Sequence, residues 1–157
     1  MTKDVPSDNV IKTWARLIRA ANTALSAVER DLKAAGHPPL AWYDVLLEIK
    51  RAGEPGLRPF EMEEKLLLAQ HNVSRLLDRL ELNRLIVRRP ANEDGRGQRI
   101  AITDTGLGLL DAMWPDYRAA IQRHVGDKIK NDDDAELLCH LLGGLLSADS
   151  ALPRPGS

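Results

Sequence analysis

Between residues 70 and 79 the chain brings together Gln70, His71, Asn72, Ser74, Arg75 and Arg79, all side chains that offer hydrogen-bond donors. An amide side chain can pair bidentately with adenine and a guanidinium with guanine, each pairing giving about 1–3 kcal/mol of discrimination between bases. The positive charge continues downstream. From Gln70 to Arg99 there are seven arginines (75, 79, 84, 88, 89, 96 and 99) against four acids, Asp78, Glu81, Glu93 and Asp94, in a chain whose formal net charge is -1. A local basic patch on a near-neutral protein suits a polyanionic partner.

The elements that must position these groups can be read from periodicity. Val73, Leu76, Leu77 and Leu80 follow the 3/4 spacing of a buried stripe, which predicts a helix from about Gln70 to Asn83. His71, Ser74, Arg75 and Asp78 then project from the opposite side, with Asn72 and Arg79 on the flanks. Leu85-Ile86-Val87 and Ile100-Ala101-Ile102 are short β-branched runs suited to paired strands, joined by a polar Pro90 to Gln98 segment containing Gly95 and Gly97. Helix, short strand, turn, strand and helix start, in that order, describe a winged helix-turn-helix.

The residues from Val73 to Glu81 (VSRLLDRLE), the following strand, and the run from Glu93 to Leu110 (EDGRGQRIAITDTGLGLL) closely resemble the MarR family of bacterial transcriptional regulators. That family's wing carries an Asp-x-Arg element, then a strand and a Leu/Ile-Thr-x-x-Gly helix start. Here those positions are Asp94, Arg96, Ile102, Thr103 and Gly106. The resemblance spans roughly residues 10 to 146, and its motif is more specific than helix periodicity alone. It implies a mainly α fold with a small β-wing (α+β), and terminal helices that join two copies into a homodimer. It also implies double-stranded DNA as partner, with Arg96 as a minor-groove probe and Asp94 orienting it through a charge-assisted hydrogen bond.

Composition agrees with one such domain and disfavours other classes. A chain of 157 residues, 43% hydrophobic and 29% charged, fits a single core-forming domain. The single cysteine, Cys139, rules out an intramolecular disulfide framework, and no run approaches the roughly 18 apolar residues of a membrane span. With no basic-then-apolar leader visible, a cytoplasmic location is expected. Aromatics make up only 4%, which argues against a base-stacking platform for single strands and in favour of duplex DNA.

Along the chain, residues 1–9 and 148–157 read as flexible tails around a single domain at 10–147. Within it, 10–35 and 107–147 are the expected dimerisation helices, and 40–106 the winged DNA-binding lobe. A long first helix from Val10 ends before Gly36, and a second begins near Leu40 and stops before Gly53-Glu54-Pro55-Gly56. Leu57-Arg58-Pro59 could add a minimal third strand. Phe60 to Leu67 reads as the first helix of the helix-turn-helix, with Phe60, Met62 and Leu66 as core contacts. Ala69 precedes the recognition helix at a place where a polar cap would contribute about 1 kcal/mol. Thr103 is a good cap for the next helix, whose stripe runs from Leu107 through Trp114 to Val125 and Ile129 with Pro115 imposing a kink. Asn131 with Asp132-Asp133-Asp134 caps a last helix rich in leucine.

The apolar terminal helices exceed what one winged unit can cover, so a homodimer is the expected assembly. Its two recognition helices would read a pseudo-palindromic operator with half-sites about 10 bp apart. The expected DNA face is Gln70, His71, Asn72, Ser74 and Arg75 in the groove, with Arg79, Arg84, Arg88 and Arg89 as phosphate contacts or surface ion pairs, and Asp94 and Arg96 at the wing. Arg75 and Arg79 could instead pair with Asp78 or Glu81 on a solvated helix face. Relatives of this kind release DNA on binding a small aromatic or phenolic effector, and Trp14, His37, Trp42 and Trp114 lie on segments that could border such a pocket. The same tryptophans could equally be core or interface residues. Cys139 is expected to be a small buried hydrophobe and not a redox sensor. His37, His71, His124 and His140 lack metal-ligand spacing, and no nucleophile elbow or phosphate loop is present, so neither enzyme activity, metal nor cofactor is expected. The function that follows is a sequence-specific, ligand-responsive repressor. The alternative is a winged-helix protein-interaction module that does not bind DNA.

Overall fold

The structure, a computed structural model, describes residues 4–54, 56–69, 72–90 and 97–146. The expectations for Gln70, His71, Asp94, Arg96, the wing tip and the C-terminal tail therefore lie outside the described residues.

Helix α1 spans Asp8–Ala34. It begins two residues before the expected Val10, because Ser7 supplies a cap that the tail reading overlooked. The Ser7 hydroxyl accepts from the Val10 amide at 3.3 Å, and Asp8 sits in the first turn, where the helix dipole favours an acid. At the other end Gly36 takes φ 82°, the left-handed conformation that costs glycine little. That bend lets the His37 and Gly36 amides return to the carbonyls of Leu32 and Lys33, closing a Schellman motif. Only Ala27, Val28 and Leu32 of α1 are buried, so its C-terminal part is the portion held by the rest of the chain.

Helix α2 (Leu40–Ala52) lies at the centre. Val45, Leu46 and Ile49 are no more than 1% exposed, and they meet Leu32 of α1, Met62, Leu80, Ile86, Ile100 and Met113 in one cluster. Helix α3 (Pro59–Lys65) starts on Pro59, a residue suited to the first helical position because no intrahelical partner is lost there. Met62 takes its core position, whereas Phe60, expected inside, is 69% exposed beneath the Arg58 guanidinium at 6.0 Å. A helix of under two turns turns a single face to the core, and here Met62 occupies it.

Helix α4 (Val73–Leu82) buries Val73, Leu76, Leu77 and Leu80, the stripe read from the sequence. Strands β1 (Ile86–Pro90) and β2 (Gln98–Ile102) pair antiparallel with Ile86 opposite Ile102 and Arg88 opposite Ile100. Leu57 adds a one-residue bridge to Ile100, with amide-to-carbonyl distances of 3.0 and 2.8 Å, so the expected third strand is reduced to a single bridge beside a two-stranded sheet.

Helix α5 (Asp104–His124) runs on through Pro115, which lacks the N–H that would reach the Asp111 carbonyl. It stops at His124, short of the expected Ile129; Gly126, a poor helix former, lies just beyond, and Gly126–Lys128 form a 3-10 turn. Asp31 on α1 accepts from Arg123 at 2.7 Å and meets His124 Nε2 at 2.8 Å, which ties the end of α5 to α1. The His124 bond, foremost, holds the Asp31 carboxyl below its ordinary value. Helix α6 (Asp132–Gly143) is capped by Asn131, whose side chain accepts from the Asp134 amide at 2.9 Å. No residue of α6 is buried, and Cys139, expected inside, is exposed, because nothing among the described residues covers that helix.

The junction of α4, β1 and α5 is held by short polar contacts. Arg84 sits at φ 60°, a left-handed conformation costing a non-glycine residue roughly 1–2 kcal/mol. Its carbonyl accepts from the Thr103 hydroxyl at 2.6 Å, while that same hydroxyl accepts from the Gly106 amide at 3.1 Å. Thr103 thus caps α5 and locks the turn after α4 together. Arg84→Gly should relieve the backbone strain, and after the entropy cost of glycine it should stabilise the fold by about 0.5 kcal/mol or slightly more. Urea denaturation at fixed protein concentration would read this as a higher midpoint; a lower one would show that the Arg84 side chain contributes more than its backbone costs.

Candidate nucleic-acid interface

The turn between α3 and α4 decides how α4 is presented, and its anchor lies on a different helix. Asp44, on α2, is 6% exposed. Its carboxylate accepts from the Leu67 amide at 3.1 Å and from the Leu68 amide at 2.8 Å. In a continuing helix those amides would turn to carbonyls four residues back; here Asp44 captures them, and α3 ends at Lys65 with Leu66 extended. Burial pushes the Asp44 carboxyl above its ordinary value, while the two amides and the Arg51 charge pull it back.

The recognition-type helix starts later than the expected Gln70. Asn72 is its N-cap, and the side-chain oxygen accepts from the Arg75 amide at 3.0 Å. The missing cap inferred at Ala69 is thereby supplied three residues on. Asn72 is consequently engaged at the helix end through its oxygen, and a bidentate grip on adenine would share that oxygen with the cap.

From this start, Ser74, Arg75, Asp78 and Arg79 all lie exposed on α4 opposite its buried stripe. Among the described residues neither Arg75 nor Arg79 forms an ion pair. Asp78 is taken by Arg88 of β1 at 2.7 Å, a pair that braces the hairpin against α4. That pair is one of the two roles the sequence allowed Arg88. Arg89 and Arg84 are exposed nearby, and Arg99 donates to the Gly56 carbonyl at 3.3 Å. A shallow concavity of about 290 Å³ separates α3, α4 and the hairpin, floored by Val73 and Leu77 and edged by Phe60, Ser74 and Arg88. The result is a ridge of hydrogen-bonding and cationic side chains beside a two-stranded wing.

The residues offered for an effector pocket line neither this concavity nor a second one between α1 and α5. Trp14 is 65% exposed on α1, and Trp42 packs partly buried against the core. Trp114 stacks on Tyr43 with ring centres 6.5 Å apart and meets Tyr117 edge-on at 5.9 Å. His37 Nε2 lies 2.6 Å from Asp116. The second concavity, about 310 Å³, lies between α1 and α5 and is lined by Asp31, Asp116, Arg123 and four alanines.

Three interactions escaped the sequence reading. Asp44 carries no local signal, since its partners are 23 and 24 residues away. The Arg88–Asp78 pair could have been suspected once a hairpin was predicted to fold back on the helix. Gly106 was noted only as part of a motif. An added Cβ there would meet the Leu85 carbonyl oxygen at 2.3 Å and Ile102 Cγ1 at 2.7 Å, so α5 can approach the turn only through glycine.

Comparison with known proteins agrees with this arrangement. A family model described as MarR family matches residues 38–97. An uncharacterised HTH-type transcriptional regulator of Bacillus cereus is 33% identical over 137 residues, covering 86% of this chain and 88% of the relative. The HTH-type transcriptional regulator MhqR of Bacillus subtilis is 24% identical over 136 residues, covering 87% of this chain and 90% of MhqR. Among solved structures, Sco3205, a MarR family transcriptional regulator from Streptomyces coelicolor in complex with DNA, superposes with TM-score 0.75 at 24% identity over 96% of this chain and 98% of that one. A mutant MarR from E. coli complexed with operator DNA superposes with TM-score 0.74 at 22% identity, covering 91% and all of its own chain. Winged architecture, matched family model and full-length relatives converge: the chain belongs to the MarR family of helix-turn-helix transcriptional regulators.

Proposed function

We propose that the chain acts as a homodimeric, sequence-specific regulator of double-stranded DNA, repressing where its site overlaps a promoter. The observation that carries this reading is the exposed face of α4, where Arg75 and Arg79 project free of ion pairs among the described residues, beside the arginine-bearing hairpin. Ser74 and Arg75 read base edges, while Arg79, Arg84 and Arg89 meet phosphates. Asp94 and Arg96 keep the wing-tip role that the family motif gives them, and Gln70 and His71 the approach to the groove. Support for the DNA partner also comes from the relatives solved with DNA.

The homodimer is supported by the apolar faces the described residues leave open: Trp14 and Ile18 on α1, Leu137 and Leu141 on α6, and Leu145 just after it are all more than 40% exposed. The domain limits at 10–147 extend to include the Ser7 cap and α1 from Asp8. An effector response has no such support from the cavities, and Trp14, His37, Trp42 and Trp114 enter it only through the family likeness.

The test is binding to the protein's own upstream intergenic duplex and to a scrambled duplex across a salt series, with wild type and Arg75→Ala compared. Arg75→Ala should weaken operator binding about 10- to 100-fold, equivalent to roughly 1–3 kcal/mol, while leaving the scrambled duplex little changed. If genomic fragment selection also yields no duplex that wild type binds at low salt, the DNA reading fails and the protein-interaction module takes its place.

A further inference from the structure

We propose that Asp44 is a positioning residue for DNA recognition, its carboxylate fixing the turn between α3 and α4 and with it the pose of Ser74, Arg75 and Arg79. This rests on the reading in which α4 enters the DNA groove. The argument begins with where the turn's backbone bonds go. Leu66 still donates to Met62, but among the described residues the Leu67 and Leu68 amides have no carbonyl partner and donate only to Asp44, at 3.1 and 2.8 Å. Among the described residues, the next backbone bond is that of Leu76 to the Asn72 carbonyl, at the start of α4.

Asp44 is also placed to act as a fixed point. Its neighbours Val45 and Leu46 are fully buried, so α2 cannot shift without disturbing the central core. Two bonds to one ionised group set both the distance and the rotation of the turn, and such charge-assisted bonds are roughly twice as strong as neutral ones. The lever is short. A displacement of the turn passes directly to the Asn72 cap and to Ser74 and Arg75 on the next residues, where bidentate base contacts tolerate little misplacement. Asp44 itself lies beneath the turn and touches no DNA.

Asp44→Asn keeps the volume but turns one acceptor oxygen into an amide that faces a donor N–H. In the full-length protein, binding to the selected operator should weaken at least tenfold, while binding to a scrambled duplex stays within about twofold. Solution mass and helical content should be unchanged. Amide exchange at Leu67 and Leu68 should accelerate at least tenfold, with Leu76 and Leu80 unaffected, a local loosening that general destabilisation would not produce. Unaltered operator affinity overturns the proposal, as does an equal loss on both duplexes accompanied by faster exchange throughout α4. If Asp44→Asn does not fold, Asp44→Ser, which keeps one hydroxyl acceptor and adds no clash, is measured in the same way. An intermediate loss supports the proposal and an unaltered affinity overturns it. Should wild type bind no duplex specifically, the function proposed above falls and this inference with it, an outcome distinct from wild type binding and the variant binding equally well.

Discussion

A double substitution, Leu141→Glu and Leu145→Glu, should convert the proposed dimer into a monomer of 17.4 kDa and abolish operator binding at concentrations where wild type saturates. The expectation comes from what α6 leaves open. On α6 and just after it, Leu137, Leu138, Leu141, Leu142, Leu145 and Leu146 are between 37% and 64% exposed, and nothing on α6 is buried by the other described residues. Fully burying a leucine contributes about 1.5–3 kcal/mol, so covering the roughly half-exposed remainder gives about 1 kcal/mol each. Two copies of the helix, with Trp14 and Ile18 of α1, reach on the order of 10 kcal/mol, comparable to the estimated 4–15 kcal/mol cost of association. Two glutamates per protomer remove that gain and place four unpaired carboxylates in an apolar contact, each costing several kcal/mol. The dimer dissociation constant should therefore rise by about a thousandfold or more, read by sedimentation or light scattering. A dimeric variant would place the interface elsewhere. A monomer that still bound the two-half-site operator as tightly as wild type would separate assembly from recognition, contrary to the two-fold reading of the site.

Gly106→Ala should be the most damaging of the conservative substitutions in the winged lobe, and Gly108→Ala, two residues along the same helix, should be harmless or beneficial. The added Cβ at 106 would lie 2.3 Å from the Leu85 carbonyl oxygen, and neither that backbone atom nor Ile102 on β2 can withdraw without moving the wing. At Gly108 nothing lies within 4 Å. In a helix interior, alanine is favoured over glycine by about 1 kcal/mol, so Gly108→Ala should raise stability by up to that amount. At Gly106 the same gain is outweighed by overpacking, typically 1–3 kcal/mol and here at the upper end, for a net loss of about 2 kcal/mol. Parallel urea denaturation of the two variants at one protein concentration decides the matter. Two variants stabilised alike would mean that α5 does not need its close approach to Leu85. Because that contact also sets the angle of the hairpin on α4, Gly106→Ala should weaken operator binding beyond what its stability loss explains.

Taken by itself, the sequence determined whatever depends on neighbours a few residues away. The stripe Val73, Leu76, Leu77 and Leu80 could only be the buried face of α4, since a 3/4 spacing places all four on one side. Thr103 could be named as a cap because its donor, the Gly106 amide, is three residues on, and Asn131 for the same reason. Short β-branched runs around a glycine-bearing segment were enough for the hairpin, and the motif through Thr103 and Gly106 for the family. Tertiary structure decided the rest. Asp44 reaches amides 23 and 24 residues away, and that capture accompanies the end of α3 at Lys65. Arg88 closes on Asp78 across the fold, leaving Arg75 and Arg79 as the exposed cations of the helix. Phe60 and Cys139 are hydrophobes by type, yet both are exposed, because burial is set by which surfaces meet and not by residue chemistry. Periodicity and capping are short-range consequences of backbone geometry, legible one turn at a time. A buried carboxylate's partners, an ion pair between a strand and a helix, and the space left for a glycine exist only once distant segments have packed.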